Sequence, residues 1–96
     1  MTVPPLESDL SFGRAIRTSA NAQPHFPVLV ETVEQALDHV QELPLAILRT
    51  SRWYIASEAL WSAVDFPQDA GRLKAADDAL CRALATEGWL NEAPPR

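Results

Sequence analysis

Three of the interior prolines, Pro27, Pro44 and Pro67, limit where a helix can run in this chain. Proline inside a helix removes a backbone donor and clashes with the preceding turn, at a cost of about 3 kcal/mol. It also pushes the residue before it toward extended backbone. The three positions therefore act as boundaries between elements. Pro4 and Pro5 near the start, and Pro94 and Pro95 at the end, lie in stretches with few apolar side chains to offset ordering entropy. Residues 1–9 and 91–96 are read as disordered tails, and residues 10–90 as one small domain. Ninety-six residues leave no room for a second core. One cysteine builds no disulfide framework, so packing must hold the fold.

The first segment is strand-like. Leu10, Phe12 and Ile16 fall on one parity of a period-two pattern, with Arg14 interrupting the row. Residues 21–25 read as a turn, and Phe26 to Val30 as a second strand that Pro27 confines to an edge or a start. The two strands are expected to form a hairpin.

Helices follow. Thr32 can cap a helix from Val33 to Glu42, with Gln35 completing a capping box. Its inner face is Val33, Ala36, Leu37 and Val40. Leu45 to Thr50 is too short for periodicity to choose between strand, helical turn and connector. Ser51 is placed as the cap of a second helix, Arg52 to Val64, with Trp53, Ala56, Leu60 and Val64 on its core side. Tyr54 and Trp61 line a separate strip about a quarter-turn away. A third helix runs from near Asp69 to Glu87 with Leu73, Ala76, Leu80 and Leu84 as its stripe, Asp78 and Arg82 as an ion pair, and Gly88 as its left-handed cap. The predicted fold class is α+β, an N-terminal β-hairpin followed by three packed helices.

These residues resemble the small bacterial domain-of-unknown-function family numbered 982, common in rhizobia and related alphaproteobacteria. Its members show a strand beginning Pro-Val, a Thr- or Ser-introduced helix with a Glu-Ala pair, a Trp-Pro break, and an Ala-rich last helix ending Glu-Ala-Gly. The corresponding residues are Pro27-Val28, Thr32, Gln35-Ala36, Leu43-Pro44 and the stretch Ala76 to Gly88, closing as Thr86-Glu87-Gly88. Gln35 replaces the usual Glu, Leu43 the Trp, and Thr86 the Ala, while Cys81 lies in the last helix instead of the middle one. The resemblance spans Pro27 to Leu90 and implies an intracellular α+β domain with no catalytic residues to carry over.

The soft donors His25, His39 and Cys81 are too few and too scattered for a zinc site. No G-x-S-x-G elbow exists, and Ser57 and His39 have no spacing that brings them together. Asp77 and Asp78 point about 100° apart on a helix and do not converge on one atom. Gly13, Gly71 and Gly88 are isolated, so no phosphate loop is formed. The expectation is no catalytic residue, no metal and no cofactor, leaning away from an enzyme.

Binding remains. Thirteen acidic against eight basic residues give a charge of -5, which supplies no drive toward a nucleic-acid backbone or an anionic membrane. The longest apolar run, Leu43 to Leu48, is too short to span a bilayer, and the start carries no signal-peptide pattern, so the expected location is the cytoplasm. Tyr54, Trp61 and Trp89 are candidate interface residues, because large aromatics concentrate at interface centres. The expected function is a non-enzymatic protein-interaction module, as a homodimer or with another protein. The alternative is a nucleic-acid-linked accessory using Arg49, Arg52 and Trp53 as a local basic, stacking patch.

Overall fold

The computed structural model describes residues 10–91 apart from Pro24. The order is β1 (Ser11–Arg17), a single 3-10 turn (Ala20–Ala22), β2 (Leu29–Thr32), α1 (Val33–Gln41), α2 (Leu45–Leu48), α3 (Ser51–Asp65) and α4 (Ala70–Glu87). The α+β class holds: a two-stranded antiparallel hairpin precedes the helices, and three of the four helices are longer than one turn or two. The undecided stretch after Pro44 is the one-turn helix α2. The Pro44 carbonyl starts it, accepting from the amides of Ile47 and Leu48. Of the expected tails at 1–9 and 91–96, all but Asn91 lie outside the described residues. Asn91 is anchored, its N–H donating to the Arg17 carbonyl at 2.9 Å.

In the hairpin Ile16 stands opposite Val30 and Arg17 opposite Leu29, while Ser11 stands opposite Thr32 across an irregularity. Gly13 lies within that irregularity at φ +83°, a backbone region that costs glycine nothing. The expected parity holds for Phe12 and Ile16, both buried. The polar interruption at Arg14 has a cause, because its guanidinium reaches α4 and forks onto Asp77, at 3.1 Å from Nε to Oδ2 and 2.7 Å from Nη2 to Oδ1.

The second strand is displaced from its expected span. It covers 29–32 instead of 26–30, because Phe26 leaves the strand path for the core. Its ring stacks on Trp53 at 5.8 Å and lies 6.2 Å from Trp89 and 5.7 Å from His39. Burial of an aromatic ring of this size outweighs a few hairpin bonds.

Thr32 caps α1 as expected, its Oγ1 accepting from the Gln35 N–H at 3.1 Å. The return bond differs from a capping box. Gln35 Oε1 accepts from the Glu31 N–H at 2.8 Å, and Gln35 Nε2 donates to the Leu29 carbonyl at 3.3 Å. One amide thus satisfies a donor and an acceptor on the outer edge of β2, as a neighbouring strand does, and shields that edge from pairing.

The middle helix begins one residue earlier than expected. Thr50 is its N-cap and turns its hydroxyl back to the Ile47 carbonyl at 2.7 Å. Trp53, Ala56, Leu60 and Ala63 are its buried residues, with Val64 only partly covered. On α4, Asp69 Oδ1 accepts from the amides of Gly71 and Arg72, and Gly88 closes the helix at φ 78°. Asp78 is paired at 3.4 Å with Lys74, one turn before it, where the expected partner was Arg82, one turn after it. The core runs between α3, α4 and α1 and out to the inner face of the hairpin. No helix among the described residues is long and apolar enough to cross a membrane.

Candidate functional site

Helix α3 carries two unlike faces. Residues advance about 100° around a helix, so Tyr54, Glu58, Trp61 and Asp65 fall within a strip about 60° wide. That strip lies opposite Trp53, Ala56, Leu60 and Ala63. Tyr54 is 63% and Trp61 47% exposed, and Ile55 on the flank is 57% exposed. Scattered apolar residues are ordinary on a surface, but two aromatics two turns apart on one helix face form a patch. Its far end is organised by Arg72, whose guanidinium lies 4.0 Å above the Phe66 ring while Nη1 donates to the Ser62 hydroxyl and Nε to Asp69 at 3.2 Å.

Trp89, the third expected interface residue, is placed elsewhere. It is 9% exposed, with its ring 5.3 Å from His25 and 6.0 Å from Trp53. The left-handed turn at Gly88 directs it inward, its N–H bonding the Leu84 carbonyl at 2.8 Å while its own carbonyl accepts from Ser19 at 2.7 Å. Trp89 closes the core between α4 and the hairpin.

The alternative patch is taken apart in the same region. Trp53 is fully buried, so no base can reach its face. Its Nε1 donates to Glu87 Oε2 at 2.9 Å, and Arg52 donates to the same oxygen from Nε at 3.0 Å and Nη2 at 2.9 Å. One carboxylate oxygen therefore receives three donors. Partial burial pulls the Glu87 carboxyl upward, but the bonds from Trp53 and Arg52 and the Arg52 charge outweigh it and hold the group below its ordinary range. Arg49 is exposed, while Arg52 is spent on the Glu87 carboxylate.

The chemistry-bearing residues are likewise engaged in structure. Cys81 is 1% exposed. Burial, with the hydrogen bond to Asp77 at 3.3 Å and the Asp77 charge, pushes its thiol up to about 12 against a smaller opposing pull from Arg14. A thiol so placed is neutral at pH 7 and poorly nucleophilic. Native protein treated with iodoacetamide at pH 8 is expected to remain unmodified at Cys81, whereas in 6 M urea it alkylates fully. Intact-mass measurement reads the difference, and rapid native labelling would place the thiol at the surface. His39 packs on Phe26, Asp77 serves Arg14, and no group of three His, Cys, Asp or Glu converges among the described residues. The open hollow lined by Asp65 to Gly71 offers one engaged carboxylate, Asp69, which caps α4.

Sequence reasoning singled out Tyr54 and Trp61 and missed Glu87. A signal for Glu87 was present. A carboxylate in the last turn of a helix opposes the helix dipole, which marks a residue kept there by something outside the helix. No protein-family model, curated protein or solved structure matches this chain, so what the outer face of α3 does is read from its own geometry.

Proposed function

We propose that this chain is a non-enzymatic protein-interaction module that works through the outer face of α3. One observation carries the reading: Tyr54 and Trp61 are both exposed on one face of α3, two turns apart, while the core is built without them. Holding two large aromatics in water forgoes about 1.5–3 kcal/mol of burial for each, and aromatics of this kind are enriched where partners anchor. The partner is a protein: a second copy in the homodimeric form of the reading, another chain in the heteromeric form. A cytoplasmic setting and a kinship with family 982 go with it, supported by the order of Thr32-capped helix, Pro44 break and Gly88-closed helix.

The test is a paired comparison. Tyr54→Ser with Trp61→Ala is expected to leave the melting temperature within a few degrees, since exposed positions outside special features change stability by about 0.5 kcal/mol or less. The same variant is expected to lose at least tenfold in binding, on the scale of aromatic hot spots worth about 2 kcal/mol each. Cross-linked partners are compared between wild type and variant in extracts of the source cell, alongside light scattering of each alone. An unchanged partner set and an unchanged molecular mass in the variant would end the proposal.

A further inference from the structure

We infer that the occupant of the α3 face is a cationic segment of another protein, and not a second copy of this chain. This inference rests on the proposed role of that face and adds the chemistry of its partner. Along the strip, rings and carboxylates alternate: Tyr54, Glu58, Trp61, Asp65. Glu58 and Asp65 are exposed. Neither takes part in a salt bridge with a described residue. The single basic residue of α3, Arg52, is turned away onto Glu87. The nearby Arg72 is committed to Phe66, Asp69 and Ser62. The face thus carries an uncompensated negative field over two π surfaces. Both features attract the same group, a guanidinium or ammonium, the carboxylates by charge and the rings by their quadrupole.

A second copy fits poorly for a geometric reason. A two-fold interface brings each residue near its axis against its own copy. The middle of the Tyr54–Trp61 strip is Glu58, so a dimer centred on the patch sets Glu58 against Glu58. Like charges facing each other at the centre of a desolvating patch oppose association. A partner with lysine or arginine between apolar residues removes the same charge from the interface by pairing it.

The experiment uses the full chain and three dye-labelled helical peptides of equal length, built from leucine with lysine, glutamine or glutamate, followed by anisotropy. The leucine–lysine peptide is expected to bind, to weaken as salt rises from 50 to 300 mM, and to bind about tenfold tighter than the glutamine peptide, with no binding of the glutamate peptide. Glu58→Lys with Asp65→Lys is expected to invert the order of the lysine and glutamate peptides. Tyr54→Ser with Trp61→Ala keeps every charge and is expected to lose at least tenfold for the lysine peptide. If that aromatic variant binds lysine peptide as tightly as wild type, the general acidity is responsible, and both the site and the inference fall. If the aromatic variant loses binding but lysine and glutamine peptides bind alike, the face stands and its cationic preference is refuted. A wild-type dimer at micromolar concentration that Trp61→Ala converts to monomer overturns the inference in favour of the second copy.

Discussion

Trp53→Ala is expected to lower the stability of this domain by about 3–5 kcal/mol, the usual range for removing a buried aromatic and leaving its cavity. A domain of this size has a total stability of about 5–14 kcal/mol, so the loss is a large part of the whole. At about 4–8 °C per kcal/mol, its melting temperature falls by about 12 °C or more. The reason is the number of elements that meet on this indole. It is fully buried, stacked on Phe26 from the hairpin connection and packed against Trp89 beyond α4, with its N–H held by Glu87. Few substitutions could uncouple the hairpin, α3 and the end of α4 at once. Trp53→Phe is expected to cost less, about 1–3 kcal/mol, since it keeps a ring against Phe26 and loses the donor. Trp61, eight residues along the same helix, supplies the control: its truncation is expected to cost about 0.5 kcal/mol or less. Urea unfolding monitored by circular dichroism ranks the three. Equal midpoints for Trp53→Ala and Trp61→Ala would show that the two faces of α3 are assigned the wrong way round.

The features legible in the sequence are those governed by local rules. Thr32, Pro44, Asp69 and Gly88 bound their helices because a cap, a missing donor or a left-handed turn acts within four residues, and all four do so in the structure. The core side of α3 was legible because its period is set by the helix alone. Phe26 was not, since β-branched neighbours mark residues 28–30 for a strand while the pocket that claims Phe26 is built by Trp53, His39 and Trp89 from distant segments. Trp89 illustrates the same limit. Its composition class fits an interface, and only the fold-back at Gly88 onto Trp53 and His25 decides for the core. Arg14 looked like a defect in an apolar row until Asp77 appeared across from it, sixty-three positions later. Tyr54 and Trp61 were separable from the core by angle alone, and both are exposed, whereas Trp53 of the Arg49–Arg52–Trp53 patch is buried.

Glu87→Gln is expected to lower stability at pH 7 by about 1 kcal/mol and Glu87→Ala by about 2 kcal/mol, and the magnitudes of opposing terms decide the sign. A carboxylate in the last turn of α4 faces the negative end of the helix dipole, which costs about 0.3–1 kcal/mol and on its own would make either substitution favourable. Against it stand the Trp53 N–H, buried and with no other acceptor assigned, and Arg52, more exposed and worth less. A buried donor left unsatisfied costs about 1–3 kcal/mol, so the bonds prevail. Glutamine still offers Trp53 an oxygen, while alanine offers none, which orders the two variants. The charge-dependent part has a pH signature. The folded Glu87 carboxyl is held below its ordinary 4.5, so its contribution is present above the unfolded range and is lost as pH falls through the folded value. Protonated Glu87 resembles glutamine. The stability gap between wild type and Glu87→Gln is therefore expected to be constant from pH 8 to 6 and to close only as pH falls below 4.5 and through the folded value. Asp69, also held low by the Arg72 and Gly71 amides, loses its contribution in the same acid range, but equally in both proteins, so it cancels from the gap. A gap that does not narrow at all in acid, or that is absent at pH 7, would mean that Glu87 acts by packing alone and that the three donors on Oε2 do not hold α3 to the end of α4.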